Sequence, residues 1–385
     1  MQMVHGKHAA LANGNSIMKY SIIAALLVCL TLVGCARQSD SGVVVATEPP
    51  TQQAFDWKLI TTWPKNLPAI GTAPERLAVL VDEMSNGRLK IKVYGAGELA
   101  GATEVFDAVS LGTAEMGHGA AYYWEGKVPA AVAFTTLPFG MTAQEMNAWL
   151  HFGGGLELWR ELYEPFNLIP MAAGNSGVQM AGWFNKEINS LDDLKGLKMR
   201  IPGIGAEVMR RAGAAAVYLP GGEIFTSLQT GVIDATEWVG PLNDRTLGLH
   251  EVAKYYYYPG WHEPSATIEL IVNKEAYDSL PLDLQRIVEV AARAINQDML
   301  DEFMAQNFIA LKALLESNDV ELRRLPDDVI DKLRELTEEV LAEVAAESPE
   351  AQRVFESYKS FQEEVQAWSE ISEYAYYKAR YESNE

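Results

Sequence analysis

Two segments of the chain share one pattern, and this internal repeat is the feature that most constrains the fold. Residues 105–118 read VFDAVSLGTAEMGH and residues 224–238 read IFTSLQTGVIDATEW. In each segment, an apolar residue and a phenylalanine lead a helical stretch that ends six positions later at a glycine, Gly112 or Gly231. An acidic residue follows three positions after each glycine. A glycine at this place suits a helix end that leads into a short strand. The repeat therefore predicts two similarly built α/β lobes.

The sequence before the first segment predicts strands and helices in alternation. Residues 55–62 and 89–94 read as strands, and residues 73–85 between them carry apolar side chains at helical spacing. A strand, a helix and a second strand are the beginning of an open α/β domain. Farther along, residues 143–163 predict one continuous helix. The predicted fold class is α/β.

The order of the predicted elements divides the body of the chain into two lobes. At 385 residues the chain is long enough for two domains of ordinary size. A long apolar strand predicted at residues 267–273 carries the chain back to the first lobe. We therefore assign residues 55–175 and 272–348 to lobe I, and residues 176–271 to lobe II.

The last third of the chain is predicted to be helical. Segments 283–316, 327–347 and 349–381 are rich in helix-forming residues and contain no internal proline. The C-terminal helix, within residues 349–385, carries many aromatic side chains, and an apolar helix face needs a surface to cover it. This helix packs across the two lobes of its own chain or reaches a second subunit, and the sequence leaves both alternatives open.

The N-terminus has the features of a targeting segment. Residues 1–35 contain a positive flank and an apolar run at 22–32, which is too short to favour a membrane span. The sequence LVGC that ends at Cys35 resembles the bacterial lipobox, in which the cysteine is lipidated; the alternative is a plain signal peptide. Met18 is a second candidate start. Residues 36–54 predict a flexible tether.

Composition excludes several classes of function. The net charge is −21 with no basic run after the N-terminus, which argues against nucleic acid as a partner. Both cysteines, Cys29 and Cys35, lie in the leader, so the folded body has neither a disulfide nor a cysteine metal site. No nucleotide-binding loop, zinc-protease motif or hydrolase elbow is present, and the histidines are scattered singly.

Residues 221–263 hold the most unusual cluster of side chains. Glu237-Trp238 and Trp261-His262-Glu263 place carboxylates among large aromatics, with four consecutive tyrosines between them. A carboxylate in such surroundings requires a partner. Glu237 and Glu263 supply the hard oxygens that Na⁺ or Ca²⁺ prefers. Two alternatives stay open: a glycosidase-like pair of acids, and two acids in unrelated salt bridges.

Three further polar residues are candidates for contact with a ligand. Arg200 lies on a predicted half-buried strand, and its planar fork suits bidentate binding of a carboxylate, although a surface salt bridge is equally compatible with the spacing. Asn175 and Gln179 lie in a segment of small residues where a backbone can approach a ligand closely. They either contact a ligand or are ordinary loop amides.

Several motifs in the same order resemble one known family, the solute-binding subunits of the tripartite ATP-independent periplasmic (TRAP) transporters. The motifs are GELAGATEVFDAVSLGTAEM (97–116), GLKMRIPG (196–203) and EIFTSLQTGVIDA (223–235), and the resemblance covers roughly residues 55–347. Within the family, ATEWVGP (235–241) and YYYYPGWHE (255–263) resemble the subgroup that binds 2-oxo or 2-hydroxy monocarboxylates with a metal ion.

The resemblance implies a periplasmic binding protein fold, with two lobes, a hinge, a long helix that spans both lobes and an additional C-terminal helix. It implies that Arg200 pairs with the ligand carboxylate. The implied ligands of a Na⁺ or Ca²⁺ ion are Gln179, Glu237, the Trp238 carbonyl and Glu263. Gln179 and Trp238 would also contact the organic ligand, as would Asn175 and Tyr122.

Two classes of function follow from the sequence. The first is an exported, lipid-anchored binding protein that delivers pyruvate, lactate or a longer 2-oxo acid to membrane permease subunits without turnover. The alternative is an exported lipoprotein hydrolase that uses Glu237 and Glu263. The resemblance also implies a possible homodimer formed through the C-terminal helix.

Overall fold

The computed structural model describes residues 53–316 and 319–382. The predicted signal segment with Cys35, and the predicted tether as far as residue 52, lie outside the described residues. None of the helices in the described part of the chain is both long enough and apolar enough to cross a membrane.

Short strands and longer helices alternate through most of the chain. The strands are β1 (Phe55–Thr61), β2 (Leu89–Tyr94), β3 (Met116–Gly119), β4 (Leu168–Asn175), β5 (Gly182–Phe184), β6 (Lys198–Arg200), β7 (Ala215–Val217), β8 (Ala235–Thr236), β9 (Tyr255–Tyr258), β10 (Thr267–Asn273) and β11 (Glu321–Arg324). The α-helices are α1 (Ala73–Met84), α2 (Val105–Ser110), α3 (Val132–Thr135), α4 (Ala143–Phe152), α5 (Gly155–Tyr163), α6 (Gly203–Arg211), α7 (Gly221–Gln229), α8 (Pro241–Thr246), α9 (Lys274–Asp278), α10 (Leu282–Glu316), α11 (Asp327–Ala345), α12 (Pro349–Ser369) and α13 (Ala375–Tyr381).

The strands form two separate mixed sheets, one for each lobe. The first sheet has the order β2-β1-β3-β10-β4; β1 is parallel to β2 and β3, whereas β10 is antiparallel to β3 and β4. The second has the order β11-β9-β5-β8-β6-β7, with β6 parallel to β7 and β8. The predicted α/β fold class is confirmed, and β10 returns the chain to the first sheet as expected.

The two repeated sequence segments form equivalent turns. A helix (α2 or α7) leads to a short strand (β3 or β8), and the glycines Gly112 and Gly231 between them have φ angles of 73° and 72°. The Glu115 carboxylate accepts a hydrogen bond from the backbone N–H of Lys58 on the adjacent strand β1, at 2.7 Å. Asp234 accepts one in the same way from Lys198 on β6, at 3.1 Å. Each acid therefore fixes the neighbouring parallel strand, which explains its constant distance from the glycine.

Two expectations about the fold require correction. The predicted single helix at 143–163 is two helices, α4 and α5, because the chain turns at Gly154 with a φ of 84°. The strand pairings also differ from the predicted lobe boundaries. Strand β11 pairs with β9 in the second sheet, although residues 272–348 were assigned to lobe I. The first five residues of β10 belong to the first sheet, although they were assigned to lobe II.

Helices at the end of the chain connect and cover the two lobes. Helix α10 has 35 residues, a length of about 52 Å, and packs against α1 and β4 of the first lobe and against α8 of the second. The implied lobe-spanning helix is therefore present.

Helix α12 packs against α4 and α5 of the first lobe through its N-terminal half, where Phe355 and Tyr358 are buried. Phe361 is partly buried against the same core, and from Trp368 onward the aromatic side chains are exposed. Trp368 is 61% exposed, and Tyr374 and Tyr381 are similarly open. The part of the predicted C-terminal helix before Trp368 therefore covers its own chain, whereas the aromatic side chains from Trp368 onward are exposed.

Candidate functional site

Arg200 is the last residue of strand β6, and its side chain is buried at the centre of the site. Its Nε donates to the Leu219 carbonyl at 3.0 Å, and its Nη1 donates to the Glu237 carbonyl at 3.2 Å and pairs with the Glu237 carboxylate. The rings of Tyr218 and Trp238 lie 5.6 Å and 5.3 Å from the guanidinium carbon. Among the described residues, Nη2 has no hydrogen-bond partner. The guanidinium is held on one side and has a free donor on the other.

The charge of Arg200 is secured by its neighbours. Burial by itself lowers the pKa of Arg200, but the Glu237 carboxylate and nearby tyrosines outweigh burial and raise the pKa above its ordinary value. The side chain therefore remains a cation at any pH the protein meets, as a binding site for an anion requires.

Glu237, His262 and Glu263 form a buried cluster beside the arginine. One possible ligand atom of each lies within 4.8 Å of those of the other two. His262 Nε2 is 3.4 Å from Glu237 Oε2, whereas Glu263 Oε2 has no hydrogen-bond partner in the part of the chain that the structure describes. Burial and the charge of Glu237 raise the pKa of Glu263 well above its ordinary value. Two buried carboxylates face one arginine, so one negative charge requires a proton or a cation.

Gln179 is joined to this cluster through the backbone of Glu263. Its backbone N–H donates to the Glu263 carbonyl at 3.1 Å, and its side-chain Nε2 donates to Ser176 Oγ at 3.1 Å. These bonds leave Oε1 buried and without a partner within residues 53–316 and 319–382. Gly260 makes the close packing possible, because a Cβ at this position would lie 2.1 Å from the Gln179 carbonyl oxygen. The local chain path therefore fixes the amide with its oxygen unused.

Tyr122 brings the first lobe to the site. It lies in a 3-10 turn at Ala121–Trp124, and its side chain is buried. Burial, and then the charges of Glu263 and Glu237, raise the pKa of Tyr122 well above its ordinary value, so its hydroxyl stays neutral. A hydrogen bond with Tyr122 in turn lowers the pKa of Glu263. The hydroxyl is therefore a donor to the acidic cluster from the opposite lobe.

Trp238 and Asn175 have different surroundings. Trp238 follows Glu237 directly, and its ring packs so closely on Gly221 that a Cβ there would lie 2.4 Å from a ring carbon. Its indole Nε1 is buried and has no hydrogen-bond partner in the described part of the chain. The Asn175 side chain donates to Thr267 Oγ1 at 3.2 Å and accepts from the Gly177 N–H at 2.8 Å. These bonds hold the turn that precedes Gln179, and a ligand contact for Asn175 remains a prediction.

The structure thus brings six of the predicted site residues together from distant parts of the sequence: Tyr122, Gln179, Arg200, Glu237, Trp238 and Glu263. His262 was missed, since the histidines were treated as isolated residues. Its position between Trp261 and Glu263 was the available signal, because a neighbour of a site carboxylate shares its loop.

The donor set fits a hard cation. One side-chain oxygen each of Gln179 and Glu263 is buried and has no hydrogen-bond partner among the described residues, and a second carboxylate, Glu237, lies beside Glu263. Carboxylate, amide and backbone carbonyl oxygens are the ligands that Ca²⁺ prefers, and Na⁺ is a hard cation of the same kind. The cluster therefore fits Na⁺ or Ca²⁺, as the sequence predicted for these residues.

Comparison with known proteins places the chain among transport proteins. The sequence pattern of a family described as bacterial extracellular solute-binding protein, family 7, matches residues 59–348. A monocarboxylate 2-oxoacid-binding periplasmic protein of Nostoc sp. strain PCC 7120 is 41% identical over 353 residues, which are 92% of this chain and 95% of that protein.

Solved structures agree with that match. A TRAP periplasmic solute-binding protein of Pseudoalteromonas atlantica with bound sodium and pyruvate is 44% identical, with a TM-score of 0.82, over 85% of this chain and 99% of that one. A second, of Colwellia psychrerythraea with bound calcium and pyruvate, is 42% identical, with a TM-score of 0.83, over 85% and 100%. These are solute-binding proteins, and they give no support to the alternative of a hydrolase that uses Glu237 and Glu263.

Proposed function

The chain belongs to the bacterial extracellular solute-binding protein family 7, and we propose that it captures a small 2-oxo or 2-hydroxy carboxylate together with Na⁺ or Ca²⁺. The ligand class comprises pyruvate, lactate and longer 2-oxo acids. The observation that carries this proposal is the buried Nη2 donor of Arg200, which has no partner among the described residues, next to the acidic cluster of Glu237 and Glu263. The side-chain oxygen of Gln179, whose backbone bonds to Glu263, is likewise without a partner there. The site combines one fixed positive side chain, Arg200, with a cluster of oxygens that can bind a metal ion. It therefore suits a carboxylate with a neighbouring oxygen atom, because the carboxylate can bind the arginine while the second oxygen binds the metal ion.

Arg200 holds the organic anion. Its guanidinium is fixed by the Leu219 and Glu237 carbonyls, so little side-chain freedom is lost when a carboxylate binds at Nη2. Charge-assisted hydrogen bonds of this kind are strong in a buried site, where water does not compete. The Tyr122 hydroxyl and the Trp238 indole N–H supply further donors around the ligand.

The residues that would hold the cation are Gln179, Glu237, the Trp238 carbonyl and Glu263. The bound cation supplies a positive charge that offsets the second carboxylate and attracts the ligand oxygens. Without such an offset, the acidic pair repels an anion, and the net charge of −21 adds to the repulsion. Binding of the carboxylate therefore depends on the cation.

The cellular role follows from the family and the leader. We propose that the protein is exported to the periplasm, is anchored to the membrane by a lipid on Cys35, and delivers its ligand unchanged to TRAP permease subunits. We also propose that the uncovered part of the C-terminal helix, from Trp368 onward, forms a homodimer contact. Its exposed aromatic side chains, among them Tyr374 and Tyr381, support this role.

A calorimetric screen tests the ligand class. The purified chain is titrated, with Na⁺ and Ca²⁺ present, with pyruvate, lactate, longer 2-oxo acids and C4-dicarboxylates. We expect one-to-one binding of a 2-oxo or 2-hydroxy monocarboxylate and recovery of the ligand unchanged. Binding of C4-dicarboxylates alone, or conversion of any ligand to a product, would overturn the proposal.

A further inference from the structure

Asp244, on the short helix α8, is a buried carboxylate outside the cluster described above, and it accepts four hydrogen bonds. Its Oδ2 accepts from the Trp183 indole N–H at 3.0 Å and from the Tyr256 hydroxyl at 2.7 Å. Its Oδ1 accepts from the backbone N–H groups of Val239 at 3.2 Å and Gly240 at 3.1 Å. One oxygen is therefore bound to the second sheet, and the other is bound to a loop.

That loop is the one that carries the predicted cation ligands. Val239 and Gly240 directly follow Glu237 and Trp238 in the chain. The Val239 carbonyl also accepts from the backbone N–H of Met180, the neighbour of Gln179, at 3.1 Å. Asp244 therefore connects the second sheet to the loop of Glu237 and Trp238, and through Val239 to the segment of Gln179.

We propose that Asp244 is a positioning residue for the cation site, which sets the affinity for Na⁺ or Ca²⁺ by fixing the backbone that carries Glu237 and the Trp238 carbonyl. This inference rests on the proposed function. The physical reason is that a cation binds tightly only when its oxygen ligands are held at their places before it arrives, and outer groups that orient the ligands supply this order.

Glu269 on β10 provides a matched control. It is also fully buried, and it accepts hydrogen bonds from one indole N–H, that of Trp124, and from one tyrosine hydroxyl, that of Tyr163 at 3.0 Å. No backbone N–H of a site loop is among its described hydrogen bonds. Asp244→Asn and Glu269→Gln each replace a buried carboxyl group with an amide that faces one indole N–H and one tyrosine hydroxyl. They differ because Asp244 also accepts hydrogen bonds from the backbone N–H groups of Val239 and Gly240.

The first experiment measures the binding of Ca²⁺ alone and of Na⁺ alone to the full chain, with intrinsic tryptophan fluorescence as the signal. Pyruvate binding is then measured at a saturating concentration of the cation. We expect Asp244→Asn to weaken cation affinity by about tenfold or more, the scale known for groups that orient metal ligands. We expect Glu269→Gln to lose stability while its cation affinity stays close to that of the wild type. Equal cation affinities in the two variants would overturn the inference.

The second experiment separates positioning from a simple effect of charge. Amide hydrogen exchange at Val239 and Gly240 is measured in the cation-free wild type and in Asp244→Asn. We expect slow exchange in the wild type and faster exchange in the variant. Fast exchange in the wild type would overturn the inference even if the variant does not fold. A wild type that binds neither cation would instead overturn the proposed function, and this inference with it.

Discussion

The guanidinium of Arg200 and the carboxylate of Glu237 form an ion pair in which each side chain is only 1% exposed. Such a pair is costly to remove from water, and loss of one partner leaves an uncompensated buried charge. Glu263 lies beside the pair with a second acid group, so two buried carboxylates share the charge of one arginine. This imbalance is the feature that a cation corrects, and it connects the binding of the ion to the binding of the organic anion.

Replacement of Arg200 by lysine tests the anion contact. Lysine keeps the charge but has no planar fork, so one ammonium group cannot both pair with Glu237 and present a donor at the position of Nη2. We expect Arg200→Lys to weaken pyruvate binding by at least ~1.5 kcal/mol, the scale of a charge-assisted hydrogen bond. Calorimetry at saturating cation measures this. Arg211→Lys, which alters an ion pair with Glu343 outside the site, is the control. Near-normal affinity for Arg200→Lys would show that the anion binds elsewhere.

Glu269 gives the protein a predictable dependence of stability on pH. Burial raises the pKa of Glu269 to about 7, and hydrogen bonds from Trp124 and Tyr163 only partly oppose this rise. Between the ordinary carboxyl pKa and about 7, the folded chain holds a proton that the unfolded chain has lost. The contribution of this group to stability therefore falls as pH rises through that range, by at most about 1.4 kcal/mol per pH unit.

Denaturant unfolding of the wild type and of Glu269→Gln checks this dependence. The difference in unfolding free energy, wild type minus variant, should decrease between pH 5 and pH 7 and level off above about pH 8. Asp244, whose burial also raises its pKa to about 7, is present in both chains and cancels in the difference. A difference that is constant or that increases with pH would contradict the assignment.

The C-terminal helix has to be cut at the right place to test the homodimer. Tyr358 is buried against the first lobe, where its hydroxyl oxygen accepts from the Met141 N–H at 2.8 Å, so a cut at Pro349 would disturb the fold itself. A cut after Ala367 removes the exposed aromatic side chains from Trp368 onward, at the loss of one hydrogen bond from Ser369 to Glu145. We expect the full chain to scatter light as a dimer, and the chain cut after Ala367 to be a folded monomer. A monomeric full chain, or a truncated chain that remains dimeric, would contradict the proposed contact.

Features set by neighbouring residues were accessible from the sequence. The repeat around Gly112 and Gly231 depends on a helix end, a glycine and an acidic residue within a few positions. The sequence therefore predicted two similar local structures, and the structure contains them. The break at Gly154 was missed because a glycine within a helical pattern is compatible with a continuous helix. The pairing of β11 with β9 joins strands more than 60 positions apart, and no local pattern encodes such a pairing.

The candidate site was likewise predictable from the sequence only in part. The types of residue at Arg200, Glu237 and Glu263 pointed to an anion and a cation, and family motifs placed them in one site. Sequence alone did not show that Gln179 keeps a free oxygen, because that depends on hydrogen bonds to Ser176 and to the Glu263 backbone. Asp244 was missed for the same reason, since its four donors come from three separate segments of the chain, at Trp183, at Val239 and Gly240, and at Tyr256.

The most direct test of the account is the affinity for pyruvate before and after removal of the cation. The wild-type chain is chelated and desalted, titrated with pyruvate in a buffer free of Na⁺ and Ca²⁺, and titrated again after each ion is restored separately. We predict that pyruvate binding is lost or weakened by about tenfold or more without the ion, since Glu237 and Glu263 then repel the anion, and that Na⁺ or Ca²⁺ restores it. An affinity that stays the same throughout would contradict the account.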